Sequence, residues 1–235
     1  MPEVTDTYEF AVEGTPEILV RNRAGSIVIA RGAARQVSVR VTKRAQGRLL
    51  GRLTGDDLAR LIVNVTQQDN HIRVETDQRD LGFSLKNCQV DITITAPTES
   101  NLDLHMNAGN VEIRDITGVI ASVINAGNFD ALHMLLAGHS TLTVNAGNLM
   151  LEGAVTPGAA LDAEVNAGNL VLRLPHETPA YLEALVHVGS IDVGGWPISV
   201  SRRVVRQEAT GALGNNPQGT LRLRVNSGSI SMRAA

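Results

Sequence analysis

The chain has 235 residues, 43% hydrophobic and 19% charged, with a formal net charge of −3; that is enough apolar material for a full core and too much for a disordered chain. Three Phe, two Tyr and one Trp make only 3% aromatics, so the core must be built from Val, Ile, Leu and Ala, and a base-stacking platform for single-stranded nucleic acid has almost no material. A single cysteine, Cys88, excludes an intramolecular disulfide.

The opening MPEVTDTYEF has neither a basic nor an apolar stretch, so no signal peptide is predicted. No run of about 18 apolar residues predicts a transmembrane helix, so no membrane insertion is expected. The expected location is the cytoplasm. Charge is unevenly spread: residues 21–60 carry ten Arg/Lys against two acids, 101–199 carry two bases against ten acids, and 200–235 end basic. The bases of 21–60 are not gathered into one motif, so a nucleic-acid partner is not expected.

In chain order, Ile18–Val20 and Ile27–Ile29 read as strands around a bend at Gly25, and Val37–Val41 as another strand. Gly47–Gly55 reads as a loop, and Asp56–Leu61 as one helical turn begun by an acidic cap. Ile62–Thr66 and His71–Thr76, joined by Gln67–Asn70, predict a hairpin, and Val90–Ala96 a strand ended by Pro97.

From residue 101 the chain repeats. Asn-Ala-Gly-Asn occurs at Asn107–Asn110, Asn125–Asn128, Asn145–Asn148 and Asn166–Asn169, with degenerate copies at His187–Ser190 and Asn226–Ser229. The starts are 18, 20, 21, 21 and 39 residues apart, and an earlier copy, Arg23–Ser26, lies 84 residues upstream. The 39-residue step reads as two periods interrupted by a loop at Gly211–Gly219. Each motif is flanked by period-two alternation, as in Leu102, Leu104 and Met106 before it and Val111 and Ile113 after it. The bend glycines are Gly25, Gly109, Gly127, Gly147, Gly168, Gly189 and Gly228. A two-strand unit of about 20 residues cannot bury its apolar face alone. The predicted fold is therefore an all-β, single-domain β-solenoid over 1–235. Residues 1–100 form an irregular N-terminal part and cap with a hairpin, and 101–235 form regular repeat coils with N-A-G-N bends.

An N-terminal strand, a bend ending Gly25-Ser26-Ile27, an insert with a hairpin, a strand ending Ala96-Pro97 and then serial Gly-Asn/Ser-aliphatic bends follow one another. This order resembles the bacterial putative-adhesin-like domain of unknown function with β-strand repeats, over roughly 10–235. The resemblance implies a β-solenoid and brings no catalytic residues. Family members often carry Asp after the bend glycine; here the residue is Asn or Ser.

Stacking predicts two amide ladders, Asn107/Asn125/Asn145/Asn166 and Asn110/Asn128/Asn148/Asn169, bonding rung to rung. Their neutral amides do not suit calcium, which takes carboxylates, and Thr141 and Thr143 have no Thr partners for an ice-binding ladder. The six histidines show no metal-binding spacing, and Cys88 reads as a buried small residue. Asp162, Glu164 and Glu183 fall in neighbouring outward columns, so the alternative is a polysaccharide-binding or polysaccharide-cleaving β-helix using those acids. The favoured reading is a non-enzymatic structural or protein-interaction scaffold with no cofactor or metal, partnered by itself or another protein. The last strand, with Leu221, Leu223, Val225 and Ile230, is expected to be an open end, and hence the candidate edge for self-assembly.

Overall fold

Alternating aliphatic and polar residues, with glycine or a polar turn every few residues, leave the chain nothing to make but strands. The computed structural model describes residues 3–45, 58, 61–77 and 88–234, and it is all-β. The strands are β1 (Glu3–Ala11), β2 (Glu17–Arg31), β3 (Gln36–Ala45), β4 (Ile62–Gln68), β5 (His71–Asp77), β6 (Cys88–Ala96), β7 (Asn101–Arg114), β8 (Thr117–Gly118) and β9 (Ile120–Ala126). They continue as β10 (Phe129–Leu136), β11 (His139–Ala146), β12 (Leu149–Val155), β13 (Ala160–Leu174), β14 (Ala180–Val193), β15 (Val200–Arg202), β16 (Gln207–Ala212) and β17 (Gly219–Ala234). All belong to one 17-stranded hydrogen-bonded sheet. The loop expected at Gly47–Gly55 lies outside the described residues, as does most of the helical turn expected at Asp56–Leu61. Of that turn, Leu58 and Leu61 are buried, and the Leu61 N–H donates to the Leu58 carbonyl at 3.1 Å.

Strands β2, β7, β13, β14 and β17 run straight through their bend glycines and form two arms each. The first arms stack in the order β4, β5, β2, β7, β9, β11, β13, β17, β14, β16, β15. Pairing is parallel from β5 to β14 and antiparallel at both ends. The second arms stack as β1, β3, β6, β2, β7, β10, β12, β13, β17, β14, again parallel from β6 onward. A short third column joins β8 and the ends of β10 and β12 after a bulge at Ala131/Met134.

The rungs are not stacked in chain order. β17 lies between β13 and β14, paired in parallel to both along both arms. The expectation that Leu221, Leu223, Val225 and Ile230 form an open edge is therefore corrected: all four are at most 1% exposed in the interior of the stack. The reason is that β14 leaves a one-strand gap beside β13, the chain makes the antiparallel strands β15 and β16 beyond β14, and β17 returns to fill the gap. The 39-residue step holds this excursion rather than a missing period. The N-terminal end mirrors it, since β2 is flanked by β5 and β6 on one side and by β7 on the other. Antiparallel β1, β3 and β4 close that end, and the strand β1, unforeseen in the sequence, pairs with β3. Asp6, on the outer strand β1, lies 3.2 Å from the almost fully buried Lys43 of β3; a charge on an outer strand discourages pairing with another sheet.

Inward side chains form continuous aliphatic files. One runs Ile27, Val111, Phe129, Leu149, Leu170, Ile230, Ile191, all buried. In another, Leu223 sits in register between Ala163 and Ala184, a large residue between two small ones. Between stacked rungs there is little space for rings, which accounts for the aromatic deficit; among the described residues Phe129 is the largest fully buried side chain. One file holds a defect: the Ser122 hydroxyl, buried between Leu104 and Leu142, has no hydrogen-bond partner among the described residues. Leaving a hydroxyl dry and unbonded costs about 1–3 kcal/mol. Ser122→Ala is therefore expected to stabilise the protein by about 1 kcal/mol, read as a higher urea midpoint at unchanged m-value.

Candidate interaction face

The bends are fixed by glycine for a steric reason. A Cβ on Gly109, Gly127, Gly147, Gly168, Gly189 or Gly228 would lie 1.6–1.8 Å from the carbonyl oxygen of the bend glycine in the next rung, and φ at these positions is +137° to +143°. Gly25 faces Val90 in β6 at 2.1 Å instead. On either side run the two amide ladders. Asn125 donates to Asn107 (3.0 Å), Asn145 to Asn125 (2.7 Å) and Asn166 to Asn145 (2.7 Å), and Asn226 continues to Asn166. In the second ladder each Asn Oδ1 accepts both the backbone N–H and the side-chain amide of the next: Asn110 from Asn128, Asn128 from Asn148, and Asn148 from Asn169, at 3.0–3.2 Å. Ser229 ends that ladder on Asn169 at 2.7 Å. These amides bond to one another along the bends.

The first arms present a broad outer face. At its middle the outward residues are small and uncharged: Val119, Ala121 and Val123 on β9 or just before it, then Thr141 and Thr143 on β11. Toward β17 the face becomes charged, and here the chain order matters. Asp162 and Glu164 on β13 are followed by Arg222 and Arg224 on β17, and only then by Glu183 on β14. The proximity expected among Asp162, Glu164 and Glu183 is thus corrected, because an arginine rung separates the two acidic ones. The Arg222 guanidinium is 3.1 Å from Glu183 and 3.7 Å from Asp162, and His139 meets Asp162 at 2.7 Å. The acidic middle and basic end of the chain meet within one molecule.

Toward the N-terminal end the face is walled by the β4–β5 hairpin. Asn70 ties that hairpin to the β1–β2 connection, accepting the Glu13 N–H at 2.8 Å and donating to the Glu13 carbonyl, while Gln67 donates to the Ala11 carbonyl. Beneath the hairpin lies a groove of about 710 Å³. Half-buried Leu19, Val119 and Ala121 are on its lining, and Glu17, Asp69 and Asp103 carry acid to it. Glu17 pairs with His71 (3.0 Å) and Asp103 with His105 (3.1 Å).

The remaining titratable groups are dispersed. His133 meets Asp115 at 3.2 Å and His176 lies against Trp196 with ring centroids 6.0 Å apart, so His133 and His139 serve different carboxylates. Among the described residues no group of three His, Cys, Asp or Glu side chains could hold a metal ion. Cys88 is buried, and burial pushes its thiol up. On the second-arm face, partial burial and the neighbouring Glu112 raise the Asp130 carboxyl above its ordinary value. At the β14 end, a 2.7 Å bond from Arg233 holds Asp192 below the usual carboxylate range. The groove and the exposed valines at the β15–β16 turn are absent from the sequence reading. The string Arg202-Arg203-Val204-Val205-Arg206 was the available signal for the second.

No protein-family model and no curated protein matches the chain. Among solved structures, it is similar to a putative cell adhesion protein from Clostridium sporogenes, at 10% identity and a TM-score of 0.49, over 99% of this chain and 100% of that one. It is also similar to a putative adhesin from Bacteroides fragilis, at 15% identity and a TM-score of 0.45, over 98% and 97% of the two chains. A putative adhesin from Parabacteroides merdae follows at 10% identity and a TM-score of 0.33, over 97% and 96%. These proteins carry the same kind of name as the domain that the repeats resemble. No helix among the described residues is long and apolar enough to cross a membrane.

Proposed function

We propose that the chain is a single-domain β-solenoid of roughly 20-residue coils, located in the cytoplasm, that acts as a non-enzymatic interaction scaffold through its first-arm face. The observation that carries this reading is the interleaving of charge. With Arg222 between Asp162 and Glu183, 3.7 Å from one and 3.1 Å from the other, those two acids are neutralised by their own chain. Paired carboxylates at a glycosidic bond need one group protonated and an open space between them; here a guanidinium fills that space. A face whose centre is small and uncharged, with compensated charge beside it, suits contact with another protein, where aliphatic area and a polar rim act together. The adhesion names of the similar structures fit an interaction role. Polysaccharide binding or cleavage by the outward acids is the rival.

The test compares the purified protein with a face variant, Val123→Arg/Thr143→Arg, and an acid variant, Asp162→Asn/Glu164→Gln. We expect no release of reducing ends from a panel of polysaccharides by any of them, and a saturable protein partner lost only in the face variant. Glycan hydrolysis that disappears in the acid variant would replace the scaffold with an enzyme.

A further inference from the structure

The two ends of the first-arm column carry surfaces that match each other. At the far end, residues 202–206 form the turn between β15 and β16, closed by a 2.8 Å bond from the Arg203 N–H to the Arg206 carbonyl. Val204 is 103% exposed and Val205 62%, two adjacent apolar side chains with arginine on either side. Together they make a small apolar knob at the tip of the turn, and it is the match of this knob and its arginines to a surface elsewhere that gives it meaning. Arg206 is engaged by Glu208, whereas Arg202 and Arg203 have no ion pair among the described residues. At the near end lies the groove beneath the β4–β5 hairpin, with aliphatic Leu19, Val119 and Ala121 and acidic Glu17, Asp69 and Asp103. The Asp69 carboxylate has no ion pair among the described residues. One surface is apolar with a cationic collar; the other is apolar with three acids on its rim, where His71 pairs with Glu17 and the one arginine, Arg73, is held by Glu75 at 2.7 Å.

We infer that the groove takes the β15–β16 turn of a second copy of this chain, with Val204 and Val205 against Leu19, Val119 and Ala121 and with Arg202 and Arg203 facing Asp69 and Asp103. The inference rests on the interaction-scaffold reading and names its partner. A molecule cannot fill its own groove, because the groove runs from β4 to β9 and those strands stand six to ten strand spacings from β15, about 29–48 Å. The two surfaces differ and lie at opposite ends, so the contact is heterologous: each copy offers a turn to one neighbour and a groove to another, and the assembly is head-to-tail and open. Its charged part joins exposed groups, so salt weakens it.

Sedimentation velocity across a concentration series, at low and high salt, tests this with three proteins. They are the wild type, a turn variant (Val204→Glu/Val205→Glu) and a groove variant (Asp103→Arg/Ala121→Arg). The wild type should grow in mass with concentration and shrink in high salt. Each variant alone should associate roughly tenfold more weakly or not at all. An equimolar mixture of the variants, which retains one good turn and one good groove, should form a species that stops at two chains. All the substituted positions are on a turn or an outward strand face, and melting curves check that the variants fold. Should one fail to fold, Arg203→Glu and Asp69→Arg replace the pair, each dissociating the wild-type contact and the mixture restoring it.

A wild type that is monomeric at every concentration overturns the inference. So does an assembly indifferent to these variants, or a closed dimer that the mixture fails to restore. Binding of a monomeric wild type to anionic phospholipid vesicles, lost in the turn variant, would assign the turn to a membrane surface and overturn it as well. None of these outcomes bears on glycan hydrolysis, which alone decides against the scaffold reading.

Discussion

Replacing Gly147 with alanine is expected to destabilise the protein by on the order of 4 kcal/mol or more, enough to unfold a domain of ordinary stability. Two costs add. The backbone there has φ of +140°, which a side chain adopts only under strain. The new methyl would also lie 1.8 Å from the Gly127 carbonyl oxygen, and that oxygen belongs to backbone, not to the mobile end of a side chain. Relief would require the β11–β12 rung to move away from its neighbour, stretching the Gly127 N–H bond to the Ala146 carbonyl, now 2.9 Å, and the Asn145 and Asn148 ladders beside it. Gly158→Ala is the control. Its φ is +81° with nothing within 4 Å of a new Cβ, so the left-handed backbone alone is taxed, by about 1–2 kcal/mol. Urea denaturation of the two variants measures the difference. Equal losses would mean that close rung contact is not what demands glycine.

The second large effect concerns Leu223. Leu223→Pro is expected to abolish folding, and Leu223→Ala to cost about 2–5 kcal/mol. Proline removes a backbone donor and does not fit a strand with neighbours on both sides; β17 has β13 on one side and β14 on the other. Were β17 an outer strand, proline there would leave the distant rungs standing. Circular dichroism distinguishes the two: loss of the whole strand signal is expected, whereas a partial loss confined to a few strands would argue against the interior position. The alanine change opens a hole against Ala163 and Ala184, which already lie flush with the file and cannot fill it.

Much of this architecture was legible in the residues. Period-two alternation located most strands, the N-A-G-N repeat gave the bend positions and the amide ladders, and the hairpin of β4 and β5 followed from its turn. The order of the rungs was not legible, because every rung presents the same aliphatic alternation inward, and an inward file accepts any of them. The discriminating signal lay outward. Asp162 and Glu164 side by side with Glu183 would repel, and a pair of cations at the matching spacing, Arg222 and Arg224, sits on the last strand. Alanine at both 163 and 184 likewise asks for a larger residue between them. Reading the 39-residue step as two periods hid both clues. The strand β1 was missed for another reason: its sequence EVTDTYEFA is largely polar, and only pairing with β3 gives Val4, Tyr8 and Phe10 something to lie against.

The late placement of β17 also sets a schedule for synthesis. As the chain leaves the ribosome, β7 through β13 can add one after another, each new strand zipping onto the last. β14 cannot join that growing stack in its native place, since the position beside β13 is reserved for residues not yet made. Until residues 219–234 emerge, β13 lacks its native partner on that side, and the native pairing open to β14 is with β16 and, beyond it, β15. Closure therefore joins two preformed halves around a single strand, a long-range event that loop closure makes slow. During that interval the nascent chain exposes the pairing edge that the finished protein hides.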